Sequence, residues 1–573
     1  MAMPDMTAVP TIVQKAGAPA AARRKGEFTP KLVTVLREGY GWEKFRADAF
    51  AGLTVAIVAL PLAMALGVAS GASPDKGLLT SIVAGLFISL LGGSRVQIGG
   101  PTGAFVVVVF NVIATHGYDG LVLATLLAGF ILVIAGYLRL GRLIRYIPHP
   151  VITGFTAGIA VIIASSQVKD FLGLTIADVP ADFIPKWIAY IRAAPTIDPV
   201  TTAIGVGTLA GIILLRRFVP RVPAFLVAIV AASAIVAMLG LPAETIGARF
   251  PNMPQGLPAP HLPAFSIAKL HEVAPSAFTI AFLAGIEALL SCVVADGMTG
   301  FRHRSNQELV GQGVGNIASA LFGGLPATGA LARTAANVKS GGRSPVSGIL
   351  HAAFLLIFVL FANRLMNYVP MAALAAILLV VSWGMSEAER FVALLRMPIG
   401  ERGVLLLTFV LTVLVDLTVA IGVGVTIASL LFMARMSETV TVTAAAADES
   451  EDVAQREQLP GDVEVFRITG PFFFGVAGEL LDALKRIGRT PRAIILRMEL
   501  VPYLDASGGT ALQEFVAQAR AAGTEVILAG AQSQPFRLLK RNGLGRSSGA
   551  VRHARDYAAA LAMAAESRSS AAA

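Results

Sequence analysis

Two short stretches of this chain could hold an anion. Gly99-Gly100-Pro101-Thr102-Gly103-Ala104 is answered much later by Gly323-Gly324-Leu325-Pro326-Ala327-Thr328-Gly329-Ala330. Both lie among apolar residues and lead into runs of small ones. Gly/Pro-interrupted hydrophobic segments at corresponding places in two halves point to a transporter binding site. Glycine and proline ahead of a helical run favour a helix that begins inside the membrane. Two such half-helices would aim their positive dipole ends at one point. Arg333, about one turn into the second, adds a full positive charge. Glu287 stands in Ala284-Gly285-Ile286-Glu287-Ala288-Leu289-Leu290-Ser291. Ionisable residues at membrane depth are costly and mark function. The Glu287 carboxyl is a candidate to take up and release a proton, and Ser291 lies one turn further on the same face.

Each of these residues also has a structural reading. Glu287 could be bonded to a neighbouring helix, and Arg333 could pair with it and merely neutralise it. Thr102, Gly103, Ala104, Gly329 and Ala330 are small enough for a ligand to reach the backbone. The same smallness lets helices pack closely. Asp48, Asp296 and Asp416 fall near segment ends and read as solvated interfacial residues. In Leu504-Asp505-Ala506-Ser507-Gly508-Gly509, Asp505 or Ser507 would cap a helix, and Ser507 could accept a phosphate. No Walker loop, zinc spacing or nucleophile–His–acid arrangement stands out, so no enzyme chemistry, metal or cofactor is expected.

The elements that must position these residues follow from composition. The chain has 573 residues, 55% of them hydrophobic and 14% charged. Soluble domains carry about 25% charge. This is a polytopic membrane protein with a soluble part attached. Its net charge of +10 fits basic loops at a membrane face and calls for no nucleic-acid partner. The single cysteine, Cys292, excludes an intrachain disulfide and a Cys-rich metal site.

Residues 1–46 are polar or mixed, with an Ala/Pro-rich start expected to be disordered and no signal-peptide pattern. The region 47–436 reads as fourteen apolar segments. They run near 47–70, 76–92, 101–115, 120–138, 147–170, 198–217, 222–240, 273–298, 307–323, 329–339, 344–363, 370–384, 404–419 and 420–436. With the N-terminus inside, the basic loops around Arg142, Arg216–Arg217, Arg304, Arg343, Arg396 and Arg435 fall on one side. The two motifs open segments three and ten, seven apart. Seven is odd, so the second half is inverted relative to the first, and the half-helices meet near the midplane. Residues 437–461 read as an acidic linker. Residues 462–565 then alternate strands (462–468, 493–497, 524–530) with helices (472–487, 507–521, 534–541), a small α/β domain with a partly parallel sheet. Residues 566–573 are expected to be disordered.

The chain resembles the SulP anion transporters, bacterial relatives of solute carrier family 26. The likeness rests on Asp48-Ala49-Phe50-Ala51-Gly52-Leu53-Thr54-Val55 with Leu60-Pro61, and on Gly92-Gly93-Ser94-Arg95. It extends to Gly154-Phe155-Thr156-Ala157-Gly158 through Ser165-Ser166-Gln167, to Asn306-Gln307-Glu308-Leu309-Val310-Gly311-Gln312-Gly313, and to Thr328 through Thr334. The soluble part is similar to a STAS domain. The resemblance implies a 7+7 inverted repeat divided into core and gate domains, with elevator-like alternating access. It implies an anion held by Leu62, Leu66, Thr102, Gly103, Ala104, Ala330, Leu331, Ala332 and Arg333, with the coupling ion at Glu287 and Ser291. An acidic residue in segment eight implies a cation-coupled importer: a proton with glutamate, sodium being the alternative that Ser291 keeps open. Leu62 and Leu66 stand where vertebrate members carry polar or aromatic side chains, so bicarbonate, sulfate and a dicarboxylate such as fumarate all remain substrates. Ala506 departs from the usual Asp-Ser-Ser/Thr-Gly run, which leaves phosphorylation of Ser507 open. A homodimer in the bacterial inner membrane, with both termini cytoplasmic and a regulatory partner at the STAS domain, completes the expectation. An uncoupled exchanger or channel and a membrane sensor are its rivals.

Overall fold

The computed structural model describes residues 27–142, 148–176, 179–180, 182–220, 222–251, 256–263, 266–415, 417–438, 440–444, 462–473, 490–545 and 549–571. The chain divides into two compact units, Met1–Val425 and Thr426–Ala573.

The first unit is helical. It runs α1 (Lys31–Arg37), α2 (Trp42–Ala69), α3 (Pro74–Leu91), β1 (Gly99–Gly100), α4 (Gly103–Tyr137), α5 (His149–Ser166), α6 (Val168–Leu172), α7 (Phe183–Ala193), α8 (Pro199–Phe218), α9 (Ala224–Leu239) and α10 (Ile246–Arg249). It continues with α11 (Ile267–Thr299), α12 (Ser305–Leu321), β2 (Thr328–Gly329), α13 (Leu331–Lys339), α14 (Val346–Met366), α15 (Met371–Met385), α16 (Ala388–Leu395) and α17 (Ile399–Leu414). Helix α18 (Leu417–Glu438) leads across the boundary between the units. Among the described residues, eight helices are long and apolar enough to cross a membrane. A helix stands at every stretch read as an apolar segment. The stretches 101–115 and 120–138 form one run broken at Gly117, whose φ of 71° leaves the helical range. Helix α12 packs against α3 and α4, α11 against α4, and α14 against α2 and α3.

Close approach between these helices is set by missing side chains. A Cβ at Gly77 would fall 1.9 Å from the Ala63 carbonyl oxygen, and one at Gly311 would lie 2.7 Å from Gly92 Cα. Where association gains little from hydrophobicity, such backbone contact supplies the packing energy.

The second unit carries a five-stranded sheet in the order β3 (Thr441–Ala444), β4 (Val463–Thr469), β5 (Ala493–Leu500), β6 (Glu525–Ala529) and β7 (Arg552–Ala554). Only β3 runs antiparallel to its neighbour, so the sheet is partly parallel as expected. Strands β3 and β7 escaped the sequence reading because both are short. Helices α19 (Ala506–Ala521) and α20 (Ser533–Arg541) match their predicted ranges, and the predicted helix 472–487 lies largely outside the described residues. The expected disorder from 566 is corrected: α21 spans Tyr557–Ala571. The alanine-rich stretch 558–565, built of the strongest helix former, starts a helix that carries on through the serines at 567–570.

Candidate functional site

The two motifs meet. Strand β1 pairs antiparallel with β2, Gly99 opposite Gly329 and Gly100 opposite Thr328. The Ala330 N–H donates to the Ile98 carbonyl at 2.9 Å, and the Ile98 N–H donates to Thr334 Oγ1 at 3.1 Å. This antiparallel pair sets the starts of α4 and α13 side by side. Neither helix has a side-chain cap, so the first-turn N–H groups keep their partial positive charge.

Thr102 occupies the N-cap position of α4, yet its hydroxyl serves another helix. It donates to Glu287 Oε2 on α11 at 2.8 Å. That bond ties the acid of segment eight to the start of the first half-helix. Ser291 is fully buried one turn on, and its Oγ has no protein partner.

Arg333 is buried, 2% exposed. Its Nη1 donates to Ser81 Oγ on α3 at 3.0 Å and its Nη2 to the Pro101 carbonyl at 3.2 Å, while Nε is unpartnered. The guanidinium of the second half-helix therefore reaches behind the entry to the first. Among the described residues no ion pair within 4 Å joins Arg333 to Glu287: the carboxylate bonds to Thr102 and the guanidinium to Ser81 and Pro101. Gly100 makes room for this reach. A Cβ there would lie 2.1 Å from Arg333 Nη1, and its φ of 156° also disfavours a side chain.

The small residues divide by role. A Cβ on Gly329 would fall 1.4 Å from Gln97 Nε2, and one on Gly103 would fall 2.6 Å from Met385 Sδ. These glycines serve close packing. Leu62, Leu66, Ala104 and Ala330 are buried, whereas Leu331 is 36% exposed and Ala332 is exposed with it.

Several polar residues that brace the site had no role assigned from sequence. Gln97 donates to the Ala288 carbonyl at 2.9 Å and accepts from Cys292 Sγ at 2.7 Å, which joins β1 to the Glu287 helix. Its one signal was a lone amide in an apolar stretch. Asn316 binds Ala327 through both backbone groups at 2.8 Å. Glu308 is fully buried and accepts from the N–H groups of Gly93 at 2.8 Å and Ser94 at 3.0 Å, and from Gln312 at 2.7 Å.

Asp48 corrects an expectation. It is fully buried rather than solvated. Its carboxylate accepts from the Arg343 and Ser344 N–H groups at 2.7 and 3.2 Å, from Tyr40 at 2.8 Å and from the Ser344 hydroxyl. It thus anchors the turn between α13 and α14. Asp296 is half-buried and holds His303, while Asp416 lies outside the described residues.

In the second unit Asp505 is the cap of α19. Its carboxylate accepts from the Gly508 N–H at 2.7 Å, and Ser507 is exposed in the first turn.

Comparison with known proteins adds three findings. The model of the Sulfate permease family matches residues 45–408, and that of the STAS domain residues 455–557. The chain is 39% identical over 510 residues to the putative sulfate transporter YvdB of Bacillus subtilis, covering 88% of this chain and 95% of that one. It is 33% identical over 529 residues to the bicarbonate transporter BicA of Picosynechococcus, covering 87% and 91%. Among solved structures, the transmembrane domain of a cyanobacterial BicA superposes with a TM-score of 0.62 at 34% identity, over 67% of this chain and 99% of that one. The structure of SLC26A9 superposes with a TM-score of 0.83 over 96% and 94% at 18% identity, a likeness of fold alone.

Proposed function

Because the chain belongs to the Sulfate permease family, with a STAS domain after the membrane region, we propose that it is a secondary active importer of small oxyanions in a bacterial inner membrane. The observation that carries this reading is the junction of the two half-helices. A bonded carboxylate, a buried guanidinium and two uncapped helix starts converge there. Helix dipoles and Arg333 attract the anion. The substrate class comprises sulfate and bicarbonate, which the relatives' names carry, and dicarboxylates, which the same charge pattern suits.

Glu287 carries the coupling proton. It accepts from Thr102 as a carboxylate and can hold a proton on its other oxygen, so protonation changes the charge facing the anion without moving the helix. Sodium is the alternative ion, favoured by the unpartnered Ser291 hydroxyl one turn away. The fourteen segments form two inverted sevens, and the core carries the site past the gate in an elevator-like motion. Both termini face the cytoplasm, on the side of the basic loops. The STAS unit supports a homodimer and offers Ser507 to a regulatory partner.

Uptake of labelled bicarbonate, sulfate and fumarate into proteoliposomes tests this, each with an inward proton gradient, an inward sodium gradient or neither. Stimulation of one anion by the proton gradient is expected. Uptake indifferent to both gradients but dependent on a counter-anion would replace symport with exchange.

A further inference from the structure

A second cationic feature lies away from the half-helices. Arg216, near the end of α8, faces a cavity of about 240 Å³ lined by Val58, Val222, Ala224 and Phe225. Its guanidinium carbon lies 4.5 Å from the centre of the Phe225 ring, a cation–π contact. No carboxylate lies within 4 Å of it among the described residues. A cationic group that lines a cavity and has no anionic partner in the protein is matched to an anionic occupant.

The cavity adjoins α2. Val58 lies on α2, and Leu62 and Leu66 follow it at spacings of four and eight residues, on one helical face. At 1.5 Å per residue the cavity floor is about 6 Å from Leu62 and about 12 Å from Leu66 along that face. The other walls come from the end of α8, the start of α9 and the loop between them (Pro220, Val222 and Pro223), so the cavity lies between α2 and that turn. A water occupies about 30 Å³ of liquid volume, so the space suits a small oxyanion with part of its hydration shell.

We propose that this cavity is the antechamber of the transport route, a weak oxyanion site at which Arg216 collects bicarbonate, sulfate or a small dicarboxylate before it passes along α2 to the half-helices. The inference rests on the transport reading above. Arg216 raises the local anion concentration and speeds exchange at that face, and it makes no contact with the central site.

The test uses the full chain in lipid nanodiscs with Val58→Cys as reporter. The native Cys292 is fully buried, and the parent protein gives the background. Each rate is taken relative to the same reagent's reaction with a free thiol in solution, since the thiolate's own charge favours the cation. A sulfonate-bearing thiol reagent is then expected to react about tenfold faster than its trimethylammonium counterpart, from one unit charge acting at ~5 Å in water. Arg216→Gln should bring the two rates together, Arg216→Lys should keep most of the difference, and free sulfate should slow only the sulfonate reagent. Ala224→Cys is the second reporter if Val58→Cys fails to fold. Equal rates in both reporters, or a preference unchanged in Arg216→Gln, would overturn the proposal. A preference seen in neutral-lipid discs but abolished by acidic lipid would assign the cavity to a headgroup and overturn it as well. Proteoliposome uptake separates the two levels. A wild type that moves no anion refutes transport itself. A transporting wild type matched by Arg216→Gln in half-saturating concentration refutes the antechamber alone.

Discussion

The packing of Gly329 against Gln97 gives a calculable perturbation. In Gly329→Ala the new methyl would lie 1.4 Å from Nε2, 2.2 Å from Cδ and 2.9 Å from Cγ of Gln97. Turning the terminal amide cannot clear three atoms, so the whole side chain must leave. It then gives up its bond to the Ala288 carbonyl and the one from Cys292. A buried carbonyl left unsatisfied costs about 1–3 kcal/mol. Overpacking a tight site costs about 1–3 kcal/mol more. The variant should therefore lose about 2–6 kcal/mol and show a thermal midpoint lower by roughly 2–5 °C. Gln97→Ala removes the obstacle along with the bonds. The double variant should then be no less stable than Gln97→Ala alone, a coupling as large as the whole cost of Gly329→Ala, about 2–6 kcal/mol. The assay is thermal unfolding of the detergent-purified full chain, with wild type, both single variants and the double variant run together. Strict additivity, or wild-type stability in Gly329→Ala, would refute the claim that this glycine exists for Gln97.

Glu287→Gln keeps an oxygen for the Thr102 hydroxyl and removes only the titratable charge. Gradient-driven uptake should vanish while labelled-anion binding persists, and unchanged uptake would end the coupling role. Arg333→Ala should weaken anion binding about tenfold to a hundredfold, the worth of one or two charge-assisted hydrogen bonds; equilibrium binding at wild-type strength would leave Arg333 as a brace between α13, Ser81 and Pro101. Asp48→Asn exchanges a carboxylate that accepts from two N–H groups for a neutral amide at the α13–α14 turn. It should lower stability by about 1–3 kcal/mol with anion affinity nearly retained, read by thermal unfolding beside binding.

The half-helix starts were legible because their signal is local. Glycine, proline and small residues repeat in one order, and the repetition survives without any tertiary information. Glu287 and Arg333 were legible because charge is rare among apolar neighbours. Their partners were not. Thr102 meets Glu287 from 185 residues away and Arg333 meets Pro101 from 232, and nothing in spacing encodes such a meeting. Asp48 was misjudged for a related reason. Position at a segment end implies solvent only if no other loop covers it, and the 343–344 turn does. The helix through 571 was missed because its signal, the alanines of 558–565, lies upstream of the serines on which the reading of the tail rested.

The braces around the site limit what can move in transport. Strand pairing, Gln97, Asn316 and Thr334 bind the two half-helix starts to each other and to α11 and α12. Sliding one start past the other would break several buried hydrogen bonds at once, so the starts must travel together. One surface of the first start carries no such bond: Gly103 faces Met385 Sδ and Ile163 Cδ1 there, and it is a candidate seam for movement. Methionine is flexible and polarisable, and it tolerates a changing neighbour at small cost. A covalent bond across that seam should therefore stop transport and spare folding. With Gly103→Cys and Met385→Cys together, the smaller side chain at 385 makes space for the new Cβ at 103. Oxidation should abolish uptake by proteoliposomes, and reductant should restore it, with an unchanged or raised unfolding midpoint. Full uptake by the oxidised, verified crosslink would show that this seam stays closed through the cycle, and the moving surface would have to be sought elsewhere.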